Sequence, residues 1–393
     1  MPTERPYDIV LFGATGFTGQ LVAEYLARAG GRALRWALAG RNPDKLRVVR
    51  ARLTDAAAHC RELPLIEADV DDPASLQRLA RSARVVITTV GPYIRYGEGL
   101  VAACAEAGTD YVDLTGEPEF VDRMWLRYDA AARASGARIV HCCGFDSIPH
   151  DLGCWFTVQQ LPENVPLRVQ GFVRAGGQFS GGTLHSAITA FSRLGPYARV
   201  ARARRRAERR EQARRVGAIH RGLRYVRELG TWTLPMPSID PQIVRHSAAT
   251  IDRYGPDFRY GHFLQVKKLP SALALAGGAG AALVGSQFGP TRRRLLALRE
   301  PGQGPDARQR AKGWFRVTFI GEGGGRRVRC EVSGGDPGYG ETAKMLAESA
   351  LCLAHDALPA GGGVLTPARA MGDALIARLQ AAGIVFRVVE VQP

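Results

Sequence analysis

The chain is short of lysine, of acidic residues and of paired cysteines. Only five of its 53 basic residues are lysine, and the arginine bias fits genome base composition as well as function, so no argument rests on it. The shortage of acids matters more: 37 against 53 bases leaves a formal charge of +16. Such a chain attracts anionic partners, whether phosphorylated cofactors, acidic carrier proteins, anionic membrane surfaces or nucleic acid. The seven cysteines are odd in number, form no C-x-x-C and in several cases sit in apolar runs, which speaks against a disulfide scaffold and fits reduced core thiols. Cys142-Cys143 ends an apparent buried strand, which speaks against a nucleophile. A signal sequence with a small-residue cleavage site is missing, so the expected setting is a reducing cytoplasm. The eight histidines are scattered without a ligand cluster, and no metal is expected.

What is present is length and periodicity. A chain of 393 residues suggests two domains, one of them interrupting the other. Apolar strand runs at 7–12, 36–39, 63–68, 85–89, 111–114 and 138–142 alternate with helical spacing at 16–29, 44–58, 73–80, 97–107 and 119–135. That order predicts an α/β fold, a parallel, doubly wound Rossmann sheet over residues 1–145.

The first strand runs into Gly13-Ala14-Thr15-Gly16-Phe17-Thr18-Gly19. Glycines here let the backbone turn tightly and approach a pyrophosphate, whose charge a helix N-terminus stabilises. Glycine strings occur by chance; the strand before and the helix after give this one its meaning. The second strand ends in Arg41-Asn42 where a carboxylate would hold a 2′-hydroxyl, and an arginine can pair with a 2′-phosphate instead. NADP is therefore the expected cofactor, with Lys45 a surface residue or a second cation. Asp69-Val70 after the third strand is a candidate adenine contact, and Thr89, Gly91 and Pro92 are candidates for the nicotinamide half. Each of these also reads as a plain loop.

Residues 146–365 are expected to form a second α/β domain for substrate or interaction, and 366–393 a C-terminal return toward the first. Leu167–Arg174 and the runs 314–320 and 326–332, around a glycine-rich turn, predict a mostly antiparallel sheet. A helix is expected at 182–194 and a solvated, arginine-rich helix or mobile arm at 199–227. That arm lacks the aromatics and motifs of a nucleic-acid binder. Residues 269–291 carry no charge and lie between Lys267-Lys268 and Arg292-Arg293-Arg294. Their Ala, Gly and Ser content favours a buried or interfacial helix over a spanning one, with flanks suited to an anionic membrane surface.

These motifs together resemble the saccharopine dehydrogenase-like oxidoreductases, and within them the bacterial trans-acting enoyl reductases. The resemblance runs from D-I-V-L-F-G-A-T-G-F-T-G at 8–19 through L-A-G-R at 38–41, T-V-G-P-Y at 89–93 and Y-V-D-L-T-G-E at 111–117. It continues with G-F-D-S-I-P at 144–149, D-P-G-Y at 336–339 and T-P-A-x-A-M-G at 366–372. It implies a Rossmann domain with an inserted α/β domain and reduction of a carbon–carbon double bond in an acyl chain. The carrier would be a polyketide synthase lacking its own reductase domain. Such a reaction needs a donor at the thioester oxygen and a proton for the α-carbon. Tyr93, His150 and Tyr339 are the candidate donors and acids, with Asp146 orienting one of them, although Asp146 or Ser147 reads equally as a helix cap. A short-chain dehydrogenase is disfavoured, because no tyrosine has lysine four positions on. A reductase of C=N or C=O bonds in a small metabolite stays open, as do a membrane- or lipid-associated NADPH-binding protein without turnover and a homodimer.

Overall fold

A computed structural model describes residues 5–176, 188, 192–208, 214–297 and 306–392. In chain order its strands are β1 (Tyr7–Phe12), β2 (Trp36–Gly40), β3 (Leu65–Glu67), β4 (Ala83–Thr88), β5 (Asp110–Asp113) and β6 (Arg138–Val140). Then follow β7 (Leu167–Gly176), β8 (Arg215–Ala218), β9 (Arg224–Val226), β10 (Thr231–Pro235), β11 (Asp257–Val266), β12 (Trp314–Gly323) and β13 (Arg326–Gly334). The last two are β14 (Gly363–Leu365) and β15 (Val385–Gln392).

The chain divides into two compact units, the first made of Met1–Phe145 and Tyr339–Ala382. Its sheet has the order β14-β6-β5-β4-β1-β2-β3, parallel throughout. Central strands such as Ile9-Val10-Leu11 and Val85-Val86-Ile87 are apolar without alternation because both faces are covered, and all six side chains are fully buried. Each such side chain contributes about 1.5–3 kcal/mol. Helices 43–56 and 73–82 begin where the sequence signals it: Asn42 and Asp72 accept backbone N–H groups, each followed by a proline. The sequence predicts six strands; β14 adds a seventh beside β6. The order turns back at β1 and β4, and both strands end at the glycine loop, with the Thr89 N–H donating to the Phe12 carbonyl at 3.0 Å.

The second unit comprises Asp146–Gly338 and Gly383–Pro393. Its mixed, mostly antiparallel sheet runs β15-β13-β12-β7-β11-β10-β9, with β8 also paired to β11. The β12–β13 hairpin and its pairing with β7 follow the expected alternation.

Several expectations change. The return to the first unit starts at Tyr339 rather than 366, because helix 340–355 is buried along most of its length and packs against helix 17–29 and the strands β1, β4 and β5. The final strand does not follow that return; β15 pairs with β13 in the second sheet. The stretch 199–227 is a solvated helix only as far as Glu208, with Arg204 alone buried on it, and is not an arm among the described residues. Helix 194–208 is followed by β8 and β9, and Arg204, Arg214 and Arg224 are held by Glu208, the Ile251 carbonyl and Gln170. The helix expected at 182–194 falls largely outside the described residues. Segment 269–291 is helical over Leu269–Ser286 but exposed rather than buried.

Candidate functional site

The glycine loop is built by contacts that side chains would prevent. Gly13 has φ +88°, and a Cβ on it would fall 2.7 Å from Thr89 Oγ1 and 2.8 Å from Val90 Cγ2. A Cβ on Gly19 would lie 2.2 Å from the Gly13 carbonyl oxygen, so the helix start presses directly on the turn. Thr89 Oγ1 donates to that same carbonyl at 3.0 Å. Gly16 caps helix 17–29 without a side-chain hydrogen bond, and the first turn holds no acid. The result is a cradle of small residues facing a helix N-terminus with no acid in its own first turn, and it fits a dinucleotide pyrophosphate.

Around the loop the expected residues fall into two groups. Arg41 is exposed and makes only a 3.9 Å approach to Asp69 among the described residues, which leaves its guanidinium available to a 2′-phosphate. Ala14 and Thr15 form the loop itself, Phe17 and Thr18 open the helix that follows it, and Gly91 and Pro92 are exposed beyond the end of β4. Asn42 is spent as a cap, accepting from the Lys45 N–H at 3.0 Å. Asp69 accepts from the Asp71 N–H at 3.1 Å, and Val70 packs on the core beneath.

Tyr93 changes role. It is 4% exposed, its hydroxyl donates to the Thr88 carbonyl at 3.0 Å, and burial pushes its phenol well above the ordinary value. It braces the strand end and is withdrawn as a reacting group. Glu117, which sequence reasoning passed over, holds the adjoining loop: its two oxygens accept the N–H groups of Tyr93 and Ile94 at 2.9 and 2.8 Å. Asp113 does the same for the next strand ends. It accepts from the Tyr111 hydroxyl at 2.9 Å and the Cys142 N–H at 3.0 Å, and it pairs with His141 at 2.6 Å. Tyr339 lies in the first unit, 6% exposed, with its ring against Phe17 of the loop.

The second unit holds the other candidates in a buried cluster. His150, on helix 148–158, is fully buried, with Nε2 3.8 Å from Asp240 Oδ2. His262 on β11 brings its Nε2 within 3.3 Å of the same oxygen, while its Nδ1 meets the Tyr260 hydroxyl at 3.1 Å. Ser238 donates to Asp240 Oδ2 at 2.6 Å. Burial works against the Asp240 carboxylate, but His150, His262 and Ser238 together hold it well below the usual range. Burial lowers His150 to about 4, helped by His262 and opposed by Asp240. Asp146 is raised to about 7, first by burial and then by the charge of Asp240. The cap reading of the 146–147 pair is corrected: Ser147 occupies the N-cap position, but no side-chain bond is made there.

The ligating atoms of His150, Asp240 and His262 lie within 4.8 Å of one another. The folded chain thus does assemble two histidines and a carboxylate in a group with the donors a divalent cation takes, where the scattered histidines of the sequence pointed to none. No local pattern could have revealed it, since helix 148–158, Asp240 and β11 meet only through the fold of the second unit.

Comparison with known proteins gives a consistent result. A family profile described as the saccharopine dehydrogenase NADP binding domain matches residues 9–140. A Mycobacterium tuberculosis protein, named provisionally a trans-acting enoyl reductase, is 43% identical over 411 residues, covering 97% of each chain. The trans-acting enoyl reductase of Mycobacterium bovis is 39% identical over 416 residues, covering 98% of each. Apo saccharopine dehydrogenase (L-Glu forming) from Saccharomyces cerevisiae superposes with a TM-score of 0.56 at 13% identity, covering 98% of this chain and 100% of its own, a likeness of fold.

Proposed function

The chain belongs to the saccharopine dehydrogenase-like oxidoreductases and is NADP-dependent, and on that premise we propose that it reduces the carbon–carbon double bond of an α,β-unsaturated acyl thioester. The observation that carries this reading is the end-to-end likeness to trans-acting enoyl reductases, 43% identity with 97% of both chains aligned. A reductase acting in trans works on a chain held by another protein. The family resemblance implies a polyketide synthase that lacks its own reductase domain. A formal charge of +16 suits encounter with an acidic carrier domain by electrostatic steering.

Bound NADPH supplies the hydride that reaches the β-carbon. The chain's own part is position and proton supply. The glycine loop and the start of helix 17–29 hold the pyrophosphate, and Arg41 takes the 2′-phosphate. Asp146, raised to about 7, keeps a proton where an ordinary carboxyl has lost it, and it is our candidate for the proton delivered to the α-carbon. His150 and His262 flank Asp240, whose charge adds to burial in raising Asp146, which makes them positioning residues.

The test is NADPH consumption by the purified protein with enoyl thioesters, free and loaded on a carrier protein. Mass spectrometry should find two hydrogens added to the acyl chain. If enoyl thioesters leave NADPH untouched while a ketone or imine consumes it, the enoyl reading falls and the oxidoreductase assignment stands.

A further inference from the structure

The second unit carries a helix whose surface suits lipid better than water. Leu269–Ser286 contains no charged residue, and only Ala272 and Ser286 on it are buried. Leu273 is 55% exposed, Val284 61% and Phe288, just beyond the helix end, 60%. A helix on a soluble protein buries one apolar stripe and turns a polar face to solvent; this one is apolar on all sides and exposed on nearly all of them.

Its flanks are cationic. Lys267 and Lys268 precede the helix, and Arg292, Arg293 and Arg294 follow it, with no acid between Asp257 and Glu300. None of the five makes an ion pair among the described residues. After Phe288 the next helix, Gly289–Ala297, folds back on the first, since a Cβ on Gly285 would meet Thr291 at 3.1 Å and Leu295 at 3.6 Å.

We infer that this helical hairpin seats the protein on an anionic lipid surface. It lies in the plane of the membrane and does not cross it. The strands before and after it, β11 and β12, belong to one sheet, so both ends of the hairpin stay on one side. A crossing would also carry three arginines of the return leg into hydrocarbon, where cations are strongly disfavoured. In the plane, the apolar sides reach the acyl boundary and the five cations meet headgroup phosphates. A second copy of the chain is a poorer occupant, because it would set five cations against five with no acid between them. An acidic protein would cover one side of the helix and leave the others wet.

The experiment is co-sedimentation of the full chain with phosphatidylcholine vesicles, with and without phosphatidylglycerol. Two triple variants accompany the wild type: Leu273→Ser with Val284→Ser and Phe288→Ser, and Arg292→Gln with Arg293→Gln and Arg294→Gln. A circular dichroism spectrum and a thermal melt matching those of the wild type show that each variant is folded. The wild type should sediment with anionic vesicles, less so as salt is raised. Partitioning should fall on the order of tenfold or more without phosphatidylglycerol and in either variant. Failure of the wild type to sediment, or equal binding by both variants, overturns the inference. So does a dimer seen by light scattering, or retention on an acidic carrier protein, that the serine variant abolishes while vesicles are ignored.

Discussion

The ring of Tyr339 meets that of Phe17 edge-on, with centroids 4.9 Å apart and planes at 78°. This contact ties the start of the returning segment to the glycine loop, more than three hundred residues away in sequence. An edge-to-face pair contributes about 0.5–1.5 kcal/mol beyond the area it buries. Replacing Tyr339 by Ala should therefore weaken NADPH binding by roughly 2- to 10-fold in a fluorescence titration. Y339F keeps the ring and should bind as the wild type does. Loss of kcat in Y339F with unchanged NADPH affinity would return the hydroxyl to the list of proton donors.

Arg41→Ala should cost NADPH affinity and leave NADH affinity nearly unchanged. A hydrogen-bonded charge pair of this kind is worth about 1.5–3 kcal/mol, so the preference should shrink by roughly 10- to 100-fold. Parallel titrations with the two nucleotides check it. An unchanged preference would move 2′-phosphate recognition to another residue.

Two glycines of one loop should behave differently. A Cβ at Gly19 collides with the Gly13 carbonyl at 2.2 Å, whereas one at Gly16 meets nothing closer than 3.4 Å. G19A should lower stability by about 1–3 kcal/mol, read as a fall in Tm. G16A should keep the wild-type Tm yet bind NADPH at least about tenfold more weakly, because its methyl occupies space needed by the pyrophosphate.

Activity should depend on pH through Asp146. If the protonated carboxyl is the donor, kcat is full below its value of about 7 and falls about tenfold per unit above it. Asp146→Asn should remove that limb and lower kcat by about 10²- to 10⁴-fold, with NADPH affinity unchanged. A full pH–rate profile of both proteins decides the matter.

Stability has a separate pH dependence at the return segment. The Arg378 hydrogen bonds hold the Asp356 carboxyl below its ordinary range. A depressed carboxyl stabilises the fold above its unfolded value and loses that contribution as pH falls through the folded one. Asp356→Asn should cost about 1 kcal/mol near neutrality and progressively less as the pH is taken below the ordinary carboxylate range. Urea unfolding at neutral and at acid pH measures the difference.

The first unit was legible because its signals are local. The glycine loop follows its strand directly, Arg41 closes the next one, and Asn42-Pro43 and Asp72-Pro73 announce their helices. Tyr93 misled for a physical reason: a tyrosine after Gly91-Pro92 looks alike whether its hydroxyl faces a ligand or bonds the Thr88 carbonyl. Glu117 was missed because a carboxylate that caps a distant loop leaves no spacing pattern. The cluster of His150, Asp240 and His262 joins a histidine to two residues at least 90 positions further on, and β14 is three residues long. Such features become visible only when the chain is folded.

The interleaving of the two units bears on how the protein is made. The first unit is broken after Phe145 and resumes only at Tyr339, so a ribosome has produced most of the chain before that sheet can be finished. Until helix 340–355 emerges, the apolar surface it will cover on β1, β4 and β5 has no partner. The nascent chain must carry that surface through the synthesis of the entire second unit, which makes it a natural client for chaperones. Fragments cut at Phe145 inherit the same bare face. Any attempt to isolate the nucleotide-binding half should therefore join residues 5–145 to 339–382 through a short linker.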